Sequence, residues 1–93
     1  MPYAVEEKKR ALTRLKRIKG QAEALEKAIS VGTECGKVLQ QIAALRGAAN
    51  GLMVDVLDSH MRETFGSLKG KNKHVDVEEE IMMVTKIMAT YLK

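Results

Sequence analysis

The sequence predicts an all-α chain with three helices. Its composition favours helix, because the single proline stands at position 2 and only three aromatic residues occur among 93. Apolar residues recur at steps of three and four, the period of a helix with one buried face. Glycine-bearing segments interrupt this pattern twice. We expect helices at about 6–30, 34–65 and 76–92, within a single domain that spans residues 1–93.

The first predicted helix carries one apolar stripe, which consists of Leu12, Leu15, Ile18, Ala22, Leu25 and Ile29. Gly32 follows the last periodic residue and is expected to end the helix. Thr33 is the predicted N-cap of the next helix, because its hydroxyl can accept a hydrogen bond from a free amide of the first turn.

The second predicted helix is long for a chain of this size. At 1.5 Å per residue it extends about 45 Å, whereas a compact globule of this length is about 32 Å across. Gly47, Ala48, Ala49 and Gly51 lie near its middle, where small residues allow another helix to approach closely. We therefore expect an obligate oligomer built around the first two helices.

The third predicted helix follows a basic, glycine-bearing loop at 66–74. Asp76 is its expected N-cap, and the acidic residues of "VDVEEE" suit the positive end of the helix dipole. Its apolar positions are Ile81, Val84, Ile87, Met88 and Tyr91.

Several protein classes find no support in the sequence. A single cysteine cannot form an intrachain disulfide, and neither a signal peptide nor a membrane-spanning segment is evident, so we expect a soluble cytoplasmic protein. A glycine-rich phosphate loop, a CxxC pair and an HExxH motif are also missing, and the chain is not expected to be an enzyme. An enzyme with Cys35 as nucleophile and a purely structural helical bundle remain alternatives.

Positive charge is concentrated in the first third of the chain. Residues 1–30 contain eight Lys or Arg and four Glu, whereas the remaining residues contain eight of each sign. Helical projection places Arg10, Arg14 and Arg17 within about 60° of one another. Together with neighbouring lysines, including Lys16, they form a cationic ridge that could contact DNA phosphates.

A solvated helix face is the alternative interpretation of this ridge, although such faces usually mix both signs of charge. Arg46, in the second helix, either extends the positive surface or pairs with an acid across a subunit interface. A helix-turn-helix, a zinc finger and an aromatic stacking platform are all missing, so any bound DNA would lie across a face of the oligomer.

Cys35 and His60 lie on the same side of the second helix, because the 25 residues between them make nearly seven full turns. They are about 37 Å apart along its axis, so a single chain cannot bring them to one ligand. Antiparallel pairing of two such helices would place Cys35 near His60 of the partner subunit. Helix one, folded back, would bring Pro2 to the same pocket.

Pro2 and Cys35 suggest a covalent reaction with a small molecule. A helix N-terminus stabilises a thiolate, so Cys35 should be nucleophilic. Removal of Met1 would leave Pro2 a secondary amine, which condenses with formaldehyde to an iminium that a thiolate can trap. The alternatives are that Cys35 merely packs in an interface and that His60 is an interface histidine or a cation at the helix C-terminus.

The segment "LQQIAALRGAANGLM" (39–53), preceded by Cys35 and followed by "SHMRETF" (59–65), resembles the CsoR/RcnR/FrmR family of metal- and formaldehyde-sensing repressors. The resemblance covers nearly the whole chain. It implies a three-helix protomer, an antiparallel dimer with a four-helix-bundle core, and a dimer of dimers. It also implies operator DNA bound across a basic face of this homotetramer.

The effector positions resemble the formaldehyde-sensing branch. Thr64 stands where the copper branch has cysteine and the nickel and cobalt branch has histidine, and Tyr3 replaces an N-terminal histidine. The persulfide branch needs two cysteines. The resemblance therefore implies that Pro2 is the amine, Cys35 the thiol and His60 a pocket residue.

For DNA, the resemblance implies the basic positions Arg14, Arg17 and Arg46, with Arg10 and Lys16 as additions. No cofactor is expected to be required, although zinc or copper could bind the thiol and imidazole adventitiously. The alternative function is a repressor that responds to nickel, cobalt, copper or zinc held by Cys35 and His60.

Overall fold

The computed structural model describes residues 5–66 and 76–91, which form three α-helices. Helix α1 comprises Val5–Ser30, α2 comprises Cys35–Gly66 and α3 comprises Val77–Tyr91. The predicted all-α class is confirmed, and each of these helix ends lies within one residue of the predicted one. Pro2, the predicted loop beyond Gly66, and position 92 lie outside the described residues. No helix in the described part of the chain is long and apolar enough to cross a membrane.

A tight turn at Gly32 reverses the chain between α1 and α2. Gly32 has a φ of +76°, a left-handed conformation in which a β-carbon is strained. The amide of Thr33 donates to the carbonyl of Ala28 at 2.9 Å, and the amide of Gly32 donates to the carbonyl of Ile29 at 3.2 Å. These two bonds form a Schellman motif, so the predicted role of Gly32 is confirmed.

The predicted cap of α3 is also confirmed. Asp76 Oδ1 accepts a hydrogen bond from the amide of Glu79 at 3.2 Å, and the Asp76 carbonyl accepts from the amide of Glu80 at 3.0 Å. The first turn of α3 contains three glutamates, whose charges favour the N-terminal end of the helix dipole.

Helices α1 and α2 pack antiparallel along what we call the α1–α2 seam. Its less exposed positions alternate at steps of three and four, as in a coiled coil. In α1 these positions are Ala11, Arg14, Ile18, Gln21, Leu25 and Ala28, and in α2 they are Val38, Gln41, Leu45, Ala48, Leu52, Asp55 and Ser59. The seam therefore mixes aliphatic layers with polar ones.

The predicted stripe of α1 is only partly the face that the protomer covers. Ile18 and Leu25 belong to the seam, but Leu12, Leu15 and Ile29 are 50%, 42% and 61% exposed. The predicted stripe follows the large aliphatic residues, and only part of it lies against α2. The protomer instead covers a neighbouring face that contains small and polar residues.

The protomer has little buried core. Among the described residues, only Ala28 and Val84 are buried apolar residues, and Ser59 is the buried polar one. The chain measures 57 × 28 × 12 Å, so it is flat and elongated. Its large aliphatic side chains consequently lie mostly on surfaces that the protomer leaves open.

Two glutamines in the α1–α2 seam carry unsatisfied oxygens. The Oε1 atoms of Gln21 and Gln41 are buried and accept no hydrogen bond from the described residues. Both side chains line a small cavity of about 90 Å³ together with Ala24 and Ala44. Buried carbonyl groups without partners are uncommon and costly, so this layer stabilises the seam less than an aliphatic one would.

Candidate functional site

Cys35 is the first residue of α2 and its side chain is exposed. Glu34, rather than the predicted Thr33, caps this helix. Glu34 Oε1 accepts a hydrogen bond from the amide of Lys37 at 3.0 Å, and the Glu34 carbonyl accepts from the amides of Lys37 and Val38 at 3.1 Å each. Because α2 begins at Cys35, Thr33 lies one residue before the cap position. Cys35 therefore directly follows the capping residue.

His60 lies in an apolar cleft between α2 and α3. The cleft measures about 330 Å³, and its other lining residues are Met53, Val56, Leu57, Met83 and Ile87. His60 Nε2 is 3.0 Å from Glu80 Oε1 and 3.5 Å from Thr64 Oγ1, and the His60 and Glu80 side chains are 23% and 29% exposed. Since an ionised carboxylate only accepts, this geometry places a hydrogen on Nε2.

The structure does not bring Cys35 and His60 together within one protomer. Because α2 continues unbroken from Cys35 to Gly66, Cys35 and His60 remain about 37 Å apart along its axis. In residues 5–66 and 76–91, no three His, Cys, Asp or Glu side chains form a group that could hold a metal ion. A metal held by both Cys35 and His60 would therefore need the two residues from different subunits.

Arg14 does not project outward with the other cations of the predicted ridge. Its Nε donates to Asp55 Oδ2 at 2.7 Å, and the two side chains are 39% and 34% exposed. The guanidinium also lies against Gly51, where a β-carbon would come within 2.8 Å of Nη1. Gly51 thus leaves room for a side chain of α1, the helix that packs against it within the protomer.

The other predicted DNA-binding residues are exposed: Arg10, Lys16, Arg17 and Arg46. Arg10 lines a small polar pocket that also contains Glu7, Asp55 and Asp58, whereas Arg46 lines a shallow groove on the outer face of α2. Asp58 lies one turn beyond Asp55 and accepts a hydrogen bond from Arg62 Nε at 2.9 Å. This hydrogen bond, together with the charge of Asp58, raises the pKa of the exposed Arg62 guanidinium.

Sequence reasoning missed the carboxylates that engage the predicted site residues. The sequence pattern places Glu34 inside the second predicted helix and Glu80 among the acids of a first turn, and it predicts no role for Asp55. Spacing could have indicated Asp55, which falls on the three-four repeat of α2 that continues through Ser59. No local signal pairs Glu80 with His60, because the contact depends on how α3 docks.

Comparison with known proteins decides the family. The family described as "Metal-sensitive transcriptional repressor" matches residues 7–90. The chain belongs to this repressor family. The match covers almost every residue of the three helices, so the resemblance found in the sequence is confirmed, and members of the family are transcriptional repressors rather than enzymes.

Relatives of this repressor include proteins of the same length. The transcriptional repressor RcnR of Citrobacter koseri is 36% identical over 93 residues, which is all of both chains. A Serratia marcescens protein described as an uncharacterized protein in the bioA 5' region is 44% identical, again over the whole of both chains.

A solved structure has the same fold. It is a glutamate-to-histidine variant of the Formaldehyde-Responsive Regulator FrmR from Salmonella enterica serovar Typhimurium. This repressor matches it with a TM-score of 0.79 and 39% identity, over 97% of this chain and 99% of the other. The protein is thus a sensing transcriptional repressor related both to a regulator named for formaldehyde and to RcnR.

Proposed function

We propose that this repressor binds operator DNA and releases it when formaldehyde joins Pro2 of one subunit to Cys35 of another. The observation that carries the proposal is the exposed Cys35 thiol on the first residue of α2, in a chain that shares its fold with FrmR. The genes regulated would be those of formaldehyde detoxification.

The proposed bond formation is a condensation. The Pro2 secondary amine, freed by removal of Met1, attacks the carbonyl carbon of formaldehyde, and loss of water leaves an iminium ion. The Cys35 thiolate then adds to the iminium carbon and gives an N–CH₂–S bridge. The amine and the thiol each lose one hydrogen and the aldehyde oxygen leaves as water, so the net gain is one carbon, about 12 Da.

The proposed site requires an assembly, because Cys35 and His60 lie about 37 Å apart along α2 of one protomer. We propose an antiparallel dimer with a four-helix-bundle core, assembled as a dimer of dimers. The protomer exposes 7309 Å², whereas a compact monomer of 10.3 kDa would expose about 5,400 Å². Its radius of gyration is 17.5 Å against about 12 Å for a globule of this length.

DNA binding is assigned to the basic face formed by Arg10, Lys16 and Arg17 of α1 and by Arg46 of α2, with Arg14 beside them. The first four are exposed, as residues that contact phosphates must be. Binding should depend strongly on salt, because each neutralised phosphate releases counterions.

Intact-mass analysis of metal-free protein tests the proposal. After near-stoichiometric formaldehyde, denatured subunits should be joined through one added carbon that peptide mapping locates between Pro2 and Cys35, and affinity for a selected operator should fall in the same sample. Cys35→Ser should give no joined subunits and keep its DNA affinity. Scattered lysine adducts with unchanged DNA binding would overturn the proposal.

A second candidate is a repressor that responds to a transition metal held by Cys35 and His60 from different subunits. The RcnR relative and the family description favour it. Thiolate and imidazole suit nickel, cobalt, copper or zinc, although Glu80 already engages His60 Nε2. Pro2→Ser distinguishes the candidates: its primary amine could still ligate a metal, so a metal response would survive, whereas the formaldehyde response would change.

A further inference from the structure

The pair formed by Arg14 and Asp55 separates one arginine from the other cations of α1. We propose that Asp55 holds the Arg14 guanidinium in the α1–α2 seam and thereby limits binding of the basic face to unrelated DNA. This inference rests on the DNA binding proposed above and makes Asp55 a residue that determines specificity without touching DNA.

Two contacts keep Arg14 in the seam. The 2.7 Å hydrogen bond from Nε to Asp55 Oδ2 fixes the guanidinium from one side, and both groups are only partly exposed. Gly51 leaves the space in which Nη1 lies, since any β-carbon there would be within 2.8 Å of that nitrogen. A guanidinium held this way is less available to a phosphate than that of Arg17, whose side chain is exposed.

The surrounding charge acts in the same direction. The small pocket next to this pair is lined by Glu7, Asp55 and Asp58 together with Arg10. These carboxylates offset nearby arginines, Asp55 through Arg14 and Asp58 through Arg62, so a phosphate at this end of the hairpin meets less net positive charge than it would without them. Further along α1, Lys16 and Arg17 are exposed on a stretch that contains no acid until Glu23.

The consequence differs for the two kinds of DNA. Binding to an unrelated duplex comes almost entirely from phosphate neutralisation, whereas an operator also supplies shape or base contacts. When Asp55 keeps Arg14 from the phosphates, affinity for unrelated DNA therefore falls by a larger fraction than affinity for the operator. Because a genome offers an excess of unrelated sites, this difference improves occupancy of the operator.

Salt titration of Asp55→Asn on a short unrelated duplex tests the proposal. Freeing one arginine adds one phosphate contact for each subunit that touches the duplex. For each such subunit, log affinity against log salt should steepen by about 0.9, and affinity should rise about fivefold at about 0.15 M salt. Asp58→Asn is the matched control: it changes the charge equally one turn away, but its partner is Arg62, so the effect should be much smaller.

Two further variants separate the ion pair from net charge and from folding defects. Gly51→Ala changes no charge but displaces the guanidinium, and it should also raise affinity for unrelated DNA. In an Arg14→Gln background, Asp55→Asn should have no effect beyond that of Asp58→Asn. Sedimentation and thermal unfolding of each variant establish that the assembly is intact.

Unchanged or weaker binding by Asp55→Asn and Gly51→Ala overturns the inference, and weaker binding would instead make Asp55 a residue that positions Arg14 for DNA. Failure of the underlying function gives a different result. If the wild-type protein and Arg17→Glu bind DNA equally, the basic face is not a DNA-binding surface at all.

Discussion

At the scale of single residues, Glu34 places a carboxylate on the turn that presents the chain's one thiol. A carboxylate disfavours a neighbouring thiolate, whereas the free amides of a helix N-terminus favour it. Glu34→Gln keeps an oxygen that can accept from the Lys37 amide and removes only the charge. Alkylation of Cys35 by iodoacetamide at neutral pH should become about two- to fivefold faster, corresponding to about 0.3–1 kcal/mol.

The measurement is the alkylation rate by mass spectrometry, with Glu26→Gln on α1 as the control for overall charge. An unchanged rate in Glu34→Gln would show that the capping carboxylate does not influence the thiol.

Glu80 of α3 is hydrogen-bonded to His60 of α2, the predicted pocket residue. Glu80→Ala removes the acceptor 3.0 Å from His60 Nε2, a loss of about 1 kcal/mol for a partly exposed pair. Amides of α3 should exchange hydrogen about fivefold faster. Glu78→Ala, an exposed acid in the same first turn, controls for the helix dipole and should change exchange less.

The chemistry of these residues could be predicted from the sequence better than their contacts. The separation of Cys35 from His60 follows from helix period and length. The contact of Glu80 with His60 could not be predicted because it depends on how α3 docks, whereas Asp55 lies on a repeat that the sequence does show.

At the scale of helices and turns, replacing Gly32 or Gly20 by alanine should change the free energy of unfolding in opposite directions. Gly32 adopts a φ of +76°, so Gly32→Ala should lower the free energy of unfolding by about 1 kcal/mol. Gly20 lies inside α1 with no atom within 4 Å of an added β-carbon, so Gly20→Ala should raise it by up to about 1 kcal/mol.

Urea unfolding of both variants at equal protein concentration gives the two values. If Gly32→Ala were as stable as the wild-type protein, the turn would not depend on the left-handed conformation. Destabilisation by Gly20→Ala would indicate that another chain lies against that position.

The helix ends could be predicted from the sequence because the residues that define them act locally. Gly32 and Asp76 act through hydrogen bonds within a few residues, and both roles were predicted. The face that α1 presents to α2 was not, because Arg14 and Gln21 occupy seam positions that hydrophobicity assigns to solvent. Only their partners across the seam, such as Asp55, explain why these polar residues are there.

At the scale of the whole molecule, the open aliphatic surface of α2 should decide the assembly. Leu39 and Ile42 are 58% and 43% exposed and line the groove beside Arg46. Leu39→Glu would place a charge in any interface formed there, so sedimentation velocity should show a smaller species than the wild-type protein forms. Lys37→Gln makes the same change in net charge two residues away and should leave the assembly intact. An assembly of wild-type size in Leu39→Glu would exclude this groove from the interface.

The four-residue connection at 31–34 also has a consequence for the time course of folding. Joining two helices through so short a link costs little loop-closure entropy, so the hairpin can form within microseconds to milliseconds. Because the described residues bury almost no core of their own, we expect the hairpin to persist only after it meets another copy. Refolding should therefore be a bimolecular process whose half-time shortens as protein concentration rises, and stopped-flow circular dichroism over a dilution series would separate the fast unimolecular phase from the encounter-limited one.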